Sequence, residues 1–182
     1  MTRTRTLPAL AAAALFCLGS SPLAAQVTER MVGNWAIQVS VDPIDDAKTI
    51  LLFRDSADGL AVLRIRCSEA FPGGSNVAVA WTVLAGGNPI EDVTVRFDSE
   101  SAQEDAWWVR LMLMNSTGAE RQMREMTMFT PHSAEALRAL LGAERFALAV
   151  ILDSVINTRH TVVFDVTGLG EALGDHITLC DR

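Results

Sequence analysis

Tyrosine is absent from this chain, lysine occurs once (Lys48), and cysteine occurs three times in 182 residues. Without tyrosine, and with aromatics at 6% overall, the composition speaks against an aromatic-rich carbohydrate platform. Basic residues number 15 against 22 acidic ones, a net charge of −7, which is the wrong balance for nucleic acid or an anionic membrane surface. No apolar run approaches the roughly 20 residues a bilayer-spanning helix needs. No internal repeat or low-complexity tract appears, and no G-x-S-x-G stands ahead of a helical pattern, so neither a repeat array nor a nucleophile elbow is expected.

What is present begins with a leader. Arg3 and Arg5 precede a short apolar run, Ala9 to Leu18, which Ser20-Ser21-Pro22 ends. Leu23-Ala24-Ala25 is a small-residue cleavage site, so residues 1–25 are expected to be a signal peptide cut after Ala25. Cys17 lies inside the apolar run behind Phe16, where a lipoprotein site would want a small residue. Residues 26–182 then form a single domain. Without Arg3 and Arg5, 13 basic residues face 22 acidic ones, a net charge of −9. The expected location is periplasmic or secreted, with no integral membrane segment after cleavage.

The mature part reads as short strands. Trp35, Ile37, Val39 and Val41 alternate with smaller or polar residues, the period of a half-buried strand. Residues 48–54 and 60–67 follow around an Asp58-Gly59 turn. In the second of these, Ala61, Leu63, Ile65 and Cys67 share one face while Arg64 and Arg66 share the other. Further strands are expected over 77–83, 93–97, 107–114, 121–129, 145–152 and 159–166. Residues 26–33 read as a helical or irregular lead-in, and 98–105 as a solvated connection. A helix over about 133–141 presents Ala134, Leu137, Leu140 and Leu141 on one side. After a turn of helix from Gly168 to Leu173, an extended run is expected into Cys180. About nine strands with one short helix predict a mainly β domain, an antiparallel β-sandwich or open barrel.

Five constellations could carry chemistry. Cys67 and Cys180 are the cysteines outside the leader, an even pair that export would join as a disulfide; buried free thiols are the alternative. Closing about 110 residues would stabilise by on the order of 4–5 kcal/mol in the chain-entropy model. Asp42, Asp45 and Asp46 could supply oxygen ligands to Ca²⁺, but they miss the D-x-[DN]-x-[DN]-G spacing, and a tight turn with the carboxylates bonding nearby N–H groups is the preferred account, with no metal expected. Arg96 and Asp98, with Arg64 and Arg66, could form a recognition patch or an ion-pair ladder. The scattered His132, His160 and His176 have no second ligand at metal spacing, and His160 shares the face of Val162 and Phe164. Last, Trp108, Met112 and Met114 make the second face of an already apolar strand apolar too. Either the helix covers that face, or it is an adaptable surface that binds a protein partner or self-associates.

Trp35, Pro43-Ile44-Asp45-Asp46-Ala47-Lys48-Thr49, Leu63-Arg64-Ile65-Arg66-Cys67, Val95-Arg96-Phe97-Asp98 and Phe164-Asp165-Val166-Thr167-Gly168-Leu169 leading to Cys180 together resemble the VasI-type proteins associated with bacterial type VI secretion. The middle departs from that pattern: Trp107-Trp108-Val109-Arg110 stands where the family shows a serine-rich W-x-x-S segment, and Ser154-Val155-Ile156-Asn157 replaces a Pro-Tyr-Gly-like one. The resemblance implies a periplasmic accessory or interaction protein without catalytic residues or a cofactor. A small envelope hydrolase, or an inhibitor of a cell-wall enzyme, is the alternative.

Overall fold

A computed structural model describes residues 26–70, 74–84, 90–98, 100, 103–104, 108–112, 123–152 and 158–180. The expected leader, 1–25, lies outside them. Two antiparallel sheets carry the chain, and neither closes into a barrel among the described residues. The first contains β1 (Gln26–Val32), β2 (Trp35–Val41), β3 (Lys48–Asp55), β4 (Ala61–Ser68), β5 (Ser75–Leu84), β8 (Trp108–Met112) and β9 (Met123–Phe129), in the order β1-β2-β3-β4-β5-β9-β8. The second is ordered β11-β10-β6-β7, from β6 (Ile90–Phe97), β7 (Gln103–Glu104), β10 (Arg145–Leu152) and β11 (Thr158–Asp165).

The alternation read from the sequence sets which side faces inward. Trp35, Ile37, Ile50, Leu52, Leu63 and Ile65 from the first sheet and Val95, Phe146, Leu148, Val162 and Phe164 from the second are buried in one shared core. Each such side chain contributes about 1.5–3 kcal/mol on leaving water. Phe146 stacks between Phe97 at 5.1 Å and Phe164 at 5.9 Å. Helix α1 (Ser133–Gly142) lies against β5 and adds Leu137 and Leu140 to this core, close to the bounds its periodicity predicts.

Three expectations are corrected. The lead-in is strand β1, paired with β2 through Val32↔Trp35 to Gln26↔Val41. Its residues are exposed on both sides as far as Met31, so it carries no alternation to read; backbone pairing alone makes it a strand. Gly33 enables the two-residue turn into β2, with φ 55° at the position where such hairpins take glycine. The acidic connection holds the short edge strand β7, against Thr94 and Val95. The chain's end is helical rather than extended: α2 (Leu169–Leu173), a 3₁₀ turn (Gly174–His176) and α3 (Ile177–Cys180). Leu169, Ala172, Leu173, Leu179 and Cys180 are its buried residues, a helical spacing that the β-branched Ile177 and Thr178 mask in the sequence.

Polar contacts lock the sheets together where β3 meets β11. Arg54 donates from Nε to the Asp165 carbonyl at 2.6 Å, from Nη1 to the Asn34 carbonyl at 2.8 Å, and from Nη2 to the Asp165 carboxylate at 3.0 Å. The Ala57 N–H donates to the Val163 carbonyl at 2.9 Å. Trp35 Nε1 donates to the Thr167 carbonyl at 3.0 Å, across 132 positions of sequence.

Candidate interaction surface

Cys67 and Cys180 form a disulfide, with their Cα atoms 4.8 Å apart. Cys67 points inward from β4, as its alternation predicts, and the bond ties α3 to that strand.

The three aspartates of the early turn are occupied by backbone. Asp42 Oδ1 accepts the Ile44 N–H at 2.8 Å and Asp45 Oδ1 accepts the Ala47 N–H at 3.0 Å. The loop is closed by Asp42 N–H to the Ala47 carbonyl and Asp46 N–H to the Asp42 carbonyl, each 3.0 Å. Asp46 adopts φ 58°, a conformation that aspartate tolerates better than most residues. Among the described residues, no group of three His, Cys, Asp or Glu side chains is gathered to hold a metal ion.

The four charged residues read as one patch are not brought together. Arg64 and Arg66 project from β4 in the first sheet, whereas Arg96 projects from β6 in the second, on the far side of the core. Asp98 plays a structural part, because its Oδ1 accepts the N–H groups of Glu144 and Arg145, both at 2.8 Å, and so fixes the start of β10.

The histidines are dispersed as well. His160 sits edge-on to Trp81, ring centroids 6.3 Å apart. His132 precedes α1, its Nδ1 3.8 Å from Glu135 Oε2. Burial, reinforced by the positive charges of Lys48 and Arg30, pushes His176 below the usual imidazole pKa, against a weaker pull from Asp175. The carboxyl groups of Asp58 and Asp165 are held below the usual carboxylate range. For Asp58 the main cause is the Ser56 hydroxyl; for Asp165 it is the Thr167 hydroxyl and N–H, helped by Arg54.

Trp108 stands opposite Phe129 and Met112 opposite Glu125 in the β8–β9 ladder; Met114 lies outside the described residues. Helix α1, one of the two accounts of what covers this strand, packs on β5 and α2.

The surface that the sequence pattern does not reveal is at the opposite edge. Strand β1 ends the first sheet, with Val27 at 51% and Met31 at 64% exposure. Met31 stands opposite Ala36, Ala36 opposite Phe53, and Phe53 opposite Arg64, one row across four strands. The next row is Glu29, Gln38, Leu51 and Arg66, with Gln38 Nε2 donating to Glu29 Oε1 at 3.2 Å. Small Ala36 between larger Met31 and Phe53 leaves a depression of about 400 Å³, lined also by Glu29, Arg30, Ile37 and Gln38. Because the two-residue turn makes Val32–Trp35 the hydrogen-bonded pair, alternate residues Met31, Glu29 and Val27 turn their N–H and C=O groups to the open edge. An open backbone edge beside an apolar depression is the arrangement that takes up an extended strand of another chain.

The fold has a counterpart. The chain is similar to invasion associated protein B from Bartonella henselae, at 14% identity and TM-score 0.53, over 85% of this chain and 99% of that one. The likeness shows a shared architecture. No family model and no curated protein matches the chain. The VasI-type resemblance therefore rests on its sequence motifs, and the structure gives several of their residues structural work: Trp35 bonds Thr167, Cys67 bonds Cys180, and Asp165 receives Arg54.

Proposed function

We propose that this protein is an exported accessory of the cell envelope that binds a protein partner by strand addition at the open edge of β1. The observation that carries the reading is that edge: seven residues of strand, exposed from Gln26 to Met31, beside the Met31–Ala36–Phe53 depression. Backbone hydrogen bonds would supply affinity, and the depression would select an apolar side chain at alternate positions of the partner. The disulfide supports export to an oxidising compartment. Within this reading the VasI-type resemblance suggests service to a type VI secretion system, and the periplasm as the place of work.

Binding is preferred to catalysis on the geometry of the cavity beside α1. Ser75, His132, Ser133 and Glu135 all line it. Ser133 Oγ, however, donates to the Thr130 carbonyl at 3.0 Å and accepts the Val77 N–H at 3.2 Å, so it is tied up structurally.

Glu29→Pro tests the edge. It removes an N–H that faces away from β2, so pairing within the hairpin is retained while strand addition is blocked. Bifunctional cross-linking in periplasmic extract, read by mass spectrometry, should give a partner with the parent chain and lose it with Glu29→Pro at unchanged circular dichroism. Retention of the same partner by the variant would refute the proposal.

A further inference from the structure

The side chains of β1 restrict what its open backbone edge can accept. Alternation puts Val27, Glu29 and Met31 on the outer face of the sheet, and Thr28, Arg30 and Val32 on the core face, opposite Val39, Ile37 and Trp35. Because Gln26 to Met31 are exposed, Glu29 and Arg30 present opposite charges on opposite faces of one strand. The next charged residues in the outer rows, Arg66 and Arg64, lie three strands further in, roughly 14 Å at ordinary strand spacing and beyond the screening length at physiological salt. An added strand therefore meets Glu29 on one face and Arg30 on the other. A second copy of the chain fits this edge poorly. In the antiparallel register that uses all of β1, Gln26 opposite Val32, Glu29 stands against Glu29 of the second copy. The register centred on Arg30 sets that residue against itself, and like charges directly opposite are destabilising. The register centred on Thr28 avoids both clashes, but it pairs only Gln26 to Arg30 and leaves Met31 and its depression outside.

We infer that the edge takes an extended segment of a different protein, antiparallel to β1, with a large apolar residue opposite Met31, an acidic one opposite Arg30 and a basic one opposite Glu29, in that order along its chain. This rests on the strand-addition reading and names the chemistry of the strand that is added. The apolar residue continues the row Met31–Ala36–Phe53 and covers Met31, which is otherwise exposed. The acidic residue faces Arg30 across a non-hydrogen-bonded pair, the closer of the two kinds, where the charges act most strongly. The basic residue meets the Glu29 carboxylate, which Gln38 already orients through Oε1. A β-branched residue two positions further on lies against Val27.

The test compares two blocked peptides of one composition, acetyl-Thr-Phe-Glu-Lys-Thr-Val-Thr-amide and its isomer with Glu and Lys exchanged, titrated into the ¹⁵N-labelled protein. The first should bind with a Kd on the order of 0.1–1 mM. Its amide shifts should alternate, larger at Val27, Glu29 and Met31 than at Thr28 and Arg30, whose donors already pair with β2. The isomer should bind roughly tenfold more weakly, because two attractive pairs become repulsive. Glu29→Lys combined with Arg30→Glu should reverse the preference at unchanged circular dichroism. Equal binding of the two peptides with alternating shifts would overturn the charge assignment and leave strand addition standing. Binding without the alternation would overturn strand addition itself. No saturable shift with the first peptide would overturn the inferred partner, with strand addition then decided by the cross-linking of Glu29→Pro. A dimer in sedimentation that Glu29→Pro dissociates would make the second copy the occupant and refute a different protein.

Discussion

Arg54 shows how much one side chain decides. Its guanidinium spends its donors on two carbonyls and a carboxylate contributed by the β1–β2 turn and the end of β11. With its side chain 14% exposed, these bonds are shielded enough to hold the two sheets in register at that end. Arg54→Ala should lower stability by about 2–4 kcal/mol, since carbonyls lose their donors as well as the ion pair. Arg54→Lys should recover only part of that, because an ammonium cannot reproduce the planar fork. Urea unfolding of the three proteins measures the order. Nothing in the sequence marks Arg54 apart from Arg64 or Arg66; its partners lie 20 and 111 positions away. The aspartate cluster is the opposite case. Asp42 and Asp45 bond N–H groups two positions on, so local sequence sufficed to suggest the turn.

At the scale of elements, legibility followed burial. Strands β2, β3, β4 and β11 were readable because one face is buried and the other more exposed, and the side-chain period shows it; β10, buried at Leu148, Ala149 and Val150 alike, was readable only as a short apolar run. Strand β1 was not, because both faces are wet through Met31, and the same exposure makes it the candidate binding edge. The terminal helices escape a local reading for a different reason. Four-residue α3 has no length in which to display a helical period, and it is held by the disulfide and by contact with β4. Gly168, at φ 75°, allows the sharp entry into α2 that follows the Asp165–Thr167 turn. Replacing Cys67 and Cys180 together by serine should therefore release the 169–180 segment first. The expected total cost is about 2–5 kcal/mol. Hydrogen exchange should show early loss of protection at Leu173 and Leu179, with the β2–β4 amides still protected. Uniform loss across both regions would argue that the disulfide supports the whole domain rather than its end.

For the molecule as a whole, the perturbed groups define a pH profile. His176 binds its proton at lower pH folded than unfolded, so below pH 6.5 the unfolded state holds more protons and stability falls with acidification. Asp58 and Asp165 are likewise depressed below 3.8, and their contribution is present above that value and lost as pH falls beneath it. Thermal melts from pH 8 to 3 should show two declines, the first beginning near 6.5 and removed by His176→Gln, the second below 3.8 and insensitive to that change. A single decline confined to the lower window would contradict the burial assigned to His176.

Side-chain period and turn composition were enough for the class of fold, most strand positions, the inward aim of Cys67 and the turn chemistry of the aspartates. All of these are set by neighbours within a few residues, where side-chain period and backbone preference act directly. Long-range packing places Arg64 and Arg66 across the core from Arg96, and sets Asp98 to hold the start of β10. It likewise decided that α1 packs on β5, and that the exposed strand β1 ends the sheet. Those outcomes depend on which strands become neighbours. Pairing distant strands is governed by the burial of a shared core, and no local spacing records it.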